Sequence, residues 1–580
     1  MAKKGNNSKK EAKKAEKEII KGEIILAYAL ENAISHGGKA QQGAVIPKLF
    51  QIGLKKEQVK DVIKNVQEAV DNVNKMTKEQ QEKEFDKLFK LLPEKKKEER
   101  EGLPGLPGAE KGKVVLRHAP FPSGALHIGN AIPLIVNDEY RKMYDARVYL
   151  IIDDTIGSEE KQINADSYKM IPEDLELLGI KWNDDIIYRS DRLNIYYKYA
   201  EELIKKNKAY VCFCNAERLR TMRQEGKDCE CRYKDYEANL KDWKWMFGQD
   251  AKEGSAVLRI KTSMQHPNPA FRDRVLFRIS DRVHPRVKGL KVWPMLEMTA
   301  AIDDHLLEIT HIIRGNQLRI EGEMEQFIWD IFGWKHPALI YTPLITLEGV
   351  KISKSKSQEE VSKGVYRGWD DPRTWSIRSL IERGIQPEAM RKFIVKFGMS
   401  EKENMVIPIE LLYNENMKLI EDSSNRYFFI HSPVKIKVMK AKKAVAKIPL
   451  HPNHPERGMR EIKTGASFFI SKDDFDKIEE SKVYRLMHLF NFEKKKDKLI
   501  FHSTEQKNEN IARIMHWLPS LKSLPKVNVL MPEGNYIEGI AEKDVKKLKQ
   551  GDIVQFERFA FCRLVEKPKR GALEFWWTHK

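Results

Sequence analysis

Cysteine is scarce: five residues in a chain of 580. Four of them crowd between positions 212 and 231, which excludes the disulfide framework of a secreted protein. No run of about 20 apolar residues occurs, so no stretch has the length of a bilayer-spanning helix. The opening residues MAKKGNNSKKEAKK lack the apolar centre of a secretory leader, and a soluble cytoplasmic protein with no membrane partner is expected. The glycine patterns of Walker A and GxGxxG phosphate loops are missing around the first strand. Acidic residues are outnumbered, with 85 Asp and Glu against 104 Lys and Arg, a net charge of +19. That excess is either a solubility device or the footprint of a polyanion partner. At 580 residues and 41% hydrophobic content, the chain exceeds one core and calls for several folded domains.

What is present centres on KVVLRHAPFPSGALHIGN, Lys113 to Asn130. Val114, Val115 and Leu116 form a short apolar run suited to a buried parallel strand. Pro120, Pro122 and Gly124 then impose a turn, and His127-Ile128-Gly129-Asn130 opens a helix running past Tyr140. Strand, tight loop and helix with outward N–H groups make a phosphate-receiving corner. A second signature, Lys351-Ile352-Ser353-Lys354-Ser355, lies far downstream.

HIGN resembles the HIGH signature of class I aminoacyl-tRNA synthetases, and KISKS resembles their KMSKS loop. PFPSGALHIG is similar to the glutamyl and glutaminyl branch, the archaeal-type glutamyl family above all. VWPMLEMTAAIDDH (292–305) and THIIRG (310–315) extend the likeness, while Leu296-Glu297-Met298 stands in place of the glutaminyl YDF triplet. Asn130 in place of the second histidine and Asn316-Gln317-Leu318 after Arg314-Gly315 depart from the family pattern.

In chain order, residues 1–18 read as a disordered basic tail. Residues 19–92 read as a helical N-terminal extension, with helices near 19–35, 56–76 and 78–92, and residues 93–112 as a linker. The resemblance implies a multidomain α/β + β architecture around a Rossmann-like catalytic domain split into residues 113–210 and 292–358. Residues 211–291 would be an inserted acceptor-end-binding region, 359–431 a helical connector, and 432–580 two antiparallel β-barrels that read the anticodon. Strand-like runs such as VKIKVM, KLIFHS and LEFWW carry that last expectation. Within the insertion, Arg259, Lys261, Arg272, Arg274 and Arg278 flank β-like runs and read either as a solvated face or as a backbone-binding face. A helix is expected over 160–178 and another from Asp191 to Lys205.

Cys212-Phe213-Cys214 and Cys229-Glu230-Cys231 form two close pairs that can converge on a tetrahedral site for structural Zn²⁺, or stand as free thiols. Cys562, alone in a strand-like run, reads as core. Asp153-Asp154-Thr155 ends the strand that starts at Val148, where open α/β sheets bind ligands; helix capping is the alternative.

The resemblance implies an ATP-dependent ligase that joins L-glutamate to tRNA-Glu through a glutamyl-adenylate, with tRNA-Gln open as a further acceptor. ATP with Mg²⁺ would meet Pro120, Ser123, Gly124, His127, Gly129, Asn130, Ser353 and Lys354. His127, Asn130, Lys351 and Lys354 would stabilise the reacting phosphates. Glutamate would meet Arg117, whose guanidinium matches a carboxylate, with Arg314, Asp153 and Asp154. Arg457, Arg460, Trp517 and Trp576 are candidate anticodon contacts, and a monomer is expected. A glutaminyl ligase, an inactive tRNA-binding paralogue and a free-standing adenylyltransferase are the competing readings.

Overall fold

The computed structural model describes residues 22–35, 37–52, 54, 58–92, 102–156, 162–350, 353–400, 403–505 and 510–580. The expected tail 1–18, Lys351 and the side chain of Lys354 lie outside them. The chain forms two compact units, Met1–Arg100 and Glu101–Lys580.

In the first unit, helices Gly22–Ser35, Gln42–Gln51, Val59–Lys75 and Lys78–Leu88 close on a core that includes Ile25, Ala29, Leu49, Val66 and Val73. Thr77 and Gln80 start the last helix with a reciprocal capping box. Gln42–Gln51 has no counterpart among the expected helices. Its Gly43 and Pro47 disfavour a helix, yet Val45 and Leu49 are buried, and that burial outweighs propensity.

The second unit is organised on parallel strands. Val115–His118, Arg147–Ile152 and Asn183–Tyr188 pair in that order, with Leu116 opposite Val148. On the other side of the first strand, Val115 N–H donates to Thr310 Oγ1 at 2.9 Å and Thr310 N–H donates to Val115 O at 3.0 Å. These bonds seat the strand His311–Gly315 there, itself paired in parallel with Ala338–Thr342. The chain therefore leaves the first strand in one direction and returns on its opposite side. This is a topological switch point, and the ligand crevice of such a sheet lies beyond the carboxyl ends of the two strands concerned. Arg117 and Arg314 occupy those ends.

The insertion is a four-stranded antiparallel sheet, Ala209–Cys212, Val257–Ile260, Val275–Ile279 and Val292–Pro294. It starts before residue 211 and takes in the VWP strand, which the sequence reading assigned to the second catalytic half. The helix expected over 160–178 spans Ser167–Leu177, and the one expected from Asp191 is a 3₁₀ turn, Arg189–Arg192, followed by Leu193–Lys205. Beyond the connector stand two seven-stranded sheets, each mainly antiparallel with two parallel pairings. The sheet built from Lys526 to His579 is completed by Arg426–Tyr427 and Phe429–His431, so the second of these domains borrows strands from the end of the connector. Cys562 is core, as its solitary place in a strand-like run implied. Among the described residues, no helix is long and apolar enough to cross a membrane.

Candidate active site

The signature loop is fastened on every side. Gly124 N–H donates to Ser167 Oγ at 2.6 Å, Leu126 N–H to Asp174 Oδ2 at 2.8 Å, and Ile377 N–H to Leu126 O at 2.8 Å. Gly124 has a φ of +127°, a conformation open only to glycine. His127 caps the helix Ile128–Tyr144: its Nδ1 accepts from Gly129 N–H at 3.1 Å and Asn130 N–H at 3.3 Å. Asn130 Oδ1 accepts from His127 N–H at 3.4 Å. The expected outward N–H groups of this corner are thus engaged internally. In compensation, Nδ1 as acceptor puts the proton of the neutral ring on Nε2, and turning Oδ1 inward leaves the Asn130 NH₂ as donor on the other side.

A cleft of about 760 Å³ opens here, lined among others by Arg117, Ser123, Asn130, Asp153, Arg314 and Gln317. Pro120 and Gly129 also line it. Arg117 is buried and bidentate: Nε and Nη2 donate to the two oxygens of Asp304, the second at 2.9 Å. Arg314 donates Nη1 and Nη2 to Glu325 at 2.8 and 2.7 Å. Burial pushes the Glu325 carboxyl up, against the pull of Arg314. Each arginine is thereby held by one edge against a buried carboxylate, and each charge is balanced before any substrate arrives.

The two aspartates after the second strand separate. Asp153 lines the cleft and pairs with Arg189 at 2.8 Å. Asp154 is fully buried and accepts from Ser190 N–H at 2.8 Å, Ser190 Oγ at 2.7 Å and the Tyr168 hydroxyl at 3.0 Å. Its backbone oxygen meets His284 Nε2 at 2.7 Å. Asp154 therefore fastens the insertion and the neighbouring helices to the strand end and does not line the cleft. Ser353 caps the helix Lys354–Ser362, its hydroxyl accepting from Lys356 N–H at 3.4 Å.

The four clustered cysteines converge. Their sulfurs all lie within 4.8 Å of one another, with Cys212 and Cys229 Sγ at 3.7 Å. A tetrahedron of Zn–S bonds near 2.3 Å has edges of about 3.8 Å, so donor set and spacing fit that ion. Arg259 Nη1 lies 3.7 Å from Cys229 and 3.9 Å from Cys212. The hydrogen bond with Cys212 draws Cys229 below the usual thiol range, and Tyr210 and Arg259 add to it.

The five basic residues singled out in the insertion have partners within the fold, Arg278 against the Met295 sulfur, though not all of them are buried. Arg259 is buried on the cysteines, and Arg272 donates to the carbonyls of His266, Arg223 and Gln224. Arg274 pairs with Glu297 and Glu321, and Lys261 donates to Asn207. Arg259, Arg272 and Arg274 are therefore held by partners within the fold, while Lys261 stands half-exposed. In the C-terminal domains Trp517 and Trp576 are buried, Arg460 is buried between Glu542 and Glu557, and Arg457 donates to Asp422 O. The two tryptophans and Arg460 are thus not displayed for base stacking, while Arg457 is half-buried with its bond at the surface. Asp304 and Glu325 escaped the sequence reading: Asp304 stands 187 residues from Arg117, and Glu325, although only 11 residues after Arg314, lies across a strand-to-helix turn that local periodicity does not span.

A switch-point crevice with two buried arginines, a capped signature helix and the helix Lys354–Ser362 lining the same cleft through Gln358 and Glu359 defines a nucleotide-binding α/β catalytic domain with appended β domains. Residues 113–422 match the family model of the class I (E and Q) tRNA synthetase catalytic domain, and 424–511 and 514–565 match the two anticodon-binding domains of the same group. A glutamate–tRNA ligase of Pyrococcus abyssi is 43% identical, covering 93% of this chain and 96% of its own length. That of Pyrococcus furiosus is 42% identical with the same coverage, and that of Methanothermobacter thermautotrophicus 37% identical over 96% of this chain and 99% of its own. The chain belongs to the class I tRNA synthetases of the E and Q group.

Proposed function

We propose that this protein ligates L-glutamate to tRNA-Glu in two steps, as a monomer in the cytoplasm. The observation that carries the reading is the near full-length similarity to relatives named glutamate–tRNA ligase, joined to an arginine at each strand end of the switch point. In the first step the glutamate α-carboxylate attacks the α-phosphorus of ATP, the bond to the β-phosphate breaks, and diphosphate leaves with its Mg²⁺. In the second, a terminal ribose hydroxyl of tRNA attacks the activated carbonyl carbon, losing its proton as AMP departs.

Arg117 and Arg314 are assigned to the substrate side-chain carboxylate, each offering the guanidinium edge turned away from its buried partner. A carboxylate completes such an edge, whereas a glutamine amide sets donor against donor. Asp153 is assigned to the substrate ammonium. His127 and Asn130 would donate to the phosphates, with Pro120, Ser123, Gly124 and Gly129 shaping the loop. Lys351, Ser353 and Lys354 would close on the departing diphosphate. Charge developing on phosphate oxygens calls for fixed donors rather than a nucleophilic side chain. Cys212, Cys214, Cys229 and Cys231 would hold a structural Zn²⁺ that braces the insertion.

ATP–diphosphate exchange in the presence of tRNA tests the first step. Glutamate-dependent exchange, reduced about 10²–10³-fold by Lys354→Ala, is expected. Absence of exchange with tRNA still bound would favour an inactive tRNA-binding paralogue.

A further inference from the structure

The segment after the KISKS helix, residues 363–376, touches the signature loop at one end and the last barrel domain at the other. At the loop end, Trp369 lies directly over Gly124: a Cβ added there would stand 2.5 Å from two carbons of the indole. Ser376 forms an isolated antiparallel bridge with His127, and the next residue, Ile377, donates to Leu126 O at 2.8 Å. Gly124 is therefore required twice, by its φ of +127° and by the ring above it.

At the barrel end, Arg367 donates to Glu574 at 2.7 Å and to the Tyr536 hydroxyl. Arg373 lies against Gly534, where an added Cβ would stand 2.6 Å from Arg373 Cδ. Glu574, Tyr536 and Gly534 all belong to the sheet that contains the C-terminal strand Leu573–His579 or to its turns.

Asp371 joins the two ends. It is buried, and its carboxylate accepts from Arg367 N–H at 3.1 Å and from Arg373 N–H, Nε and Nη2 at 3.1, 2.8 and 2.8 Å. The Trp369 carbonyl accepts from the hydroxyls of Thr374 and Ser376. A segment bonded in this way moves as one body. A displacement of the barrel is then delivered to the indole instead of being absorbed by a flexible loop.

We propose that residues 366–376 form a strut through which the second barrel domain sets the position of the ATP-receiving loop, with Trp369 as its positioning residue and Gly124 as the point on which it acts. The inference rests on the assignment of the loop to ATP made above. It gives the RNA-binding end of the chain a physical hold on the nucleotide site. Simple local packing of Trp369 would not produce this, because packing alone has no reason to depend on Arg367.

A double-mutant cycle on ATP affinity, measured by calorimetry with ATP on the full chain, separates the two. Trp369→Ala is expected to weaken ATP about tenfold and Trp369→Phe less than about threefold, since the smaller ring still covers Gly124. Arg367→Ala is expected to weaken ATP about threefold in the wild-type background and to add nothing in the Trp369→Ala background, because both changes cut one strut. Equal factors from Arg367→Ala in the two backgrounds, or unchanged affinity in Trp369→Ala, would overturn the strut. Thermal midpoints of the Phe variant guard against a folding defect. Wild-type protein that binds ATP but charges no tRNA would sink the proposed reaction and leave the strut to be judged by binding alone. Wild-type protein that binds no ATP would sink both.

Discussion

Replacing Asp304 by Asn should destabilise the free protein and at the same time sharpen its response to glutamate. Arg117 and Asp304 have side chains only 7% and 0% exposed, so solvent cannot take over when the carboxylate is lost. Breaking such a buried pair from one side costs about 3–5 kcal/mol, because the remaining charge stays uncompensated. Asn keeps one acceptor for Nε and turns an NH₂ toward Nη2, which places the effect near the lower end. For a domain of 150–250 residues about 3 kcal/mol lowers the melting temperature by roughly 6–12 °C, and for the larger catalytic region 113–422 by somewhat less. In the proposed reading, the uncompensated guanidinium then welcomes a substrate carboxylate more strongly than the paired one does. Ligand at 100 times its Kd adds about 2.7 kcal/mol, and each tenfold gain in affinity adds about 1.4 kcal/mol at fixed concentration. Differential scanning fluorimetry across a glutamate series, with glutamine as control, reads both effects. The melting temperature should drop without ligand, and glutamate should raise it more than in wild type while glutamine should not. An unchanged melting temperature, or a glutamate response no larger than that of wild type, would refute the reasoning.

Two further expectations concern groups outside the cleft's arginines. Burial pulls the His118 imidazole down to about 4, in spite of nearby Asp138, and both its ring nitrogens lack protein partners. A base depressed on folding contributes stability above its unfolded value near 6.5 and loses it as pH falls toward 4, here about 3 kcal/mol; His118→Phe should abolish that loss, so urea midpoints of variant and wild type should diverge between pH 7 and pH 4.5 and not run parallel. Removal of metal by a chelator, or Cys229→Ser, should lower thermal stability and tRNA charging while ATP affinity stays within about twofold, since none of the four cysteines lines the cleft; equal loss of ATP affinity would count against a purely structural site.

Local chemistry made much of this protein legible before its fold was known. The turn-forming prolines and glycine after Val114–Leu116, the HIGN helix start and the paired cysteines each carry their meaning within a few residues, and the structure brings each group together. Contacts across long separations left no such trace. Arg117 was visible as a cation, but Asp304, which orients it, lies 187 residues away; Glu325 is only 11 residues after Arg314, yet neither strand nor helix periodicity reports a pairing across the turn between them. The basic run from Arg259 to Arg278 was open to two readings, a solvated face or a backbone-binding face, because alternation reports which side a residue faces, not which partner, such as Glu297 for Arg274, awaits it there. Trp369 drew no attention because its significance depends on Gly124, 245 positions earlier in the sequence. The strands Arg426–Tyr427 and Phe429–His431 were too short for a period-2 pattern, and their sheet partners lie beyond an intervening domain.

The central claim is that this chain charges tRNA with glutamate through a site built on Arg117 and the two signature loops. Aminoacylation with labelled glutamate and labelled glutamine, on purified tRNA-Glu and tRNA-Gln separately, tests it most directly, with Lys354→Ala as control. The account expects glutamate on tRNA-Glu, lost in the control, and the tRNA-Gln arm reports whether the second acceptor is used. Glutamine incorporated in preference to glutamate, or neither incorporated while tRNA remains bound, would contradict it.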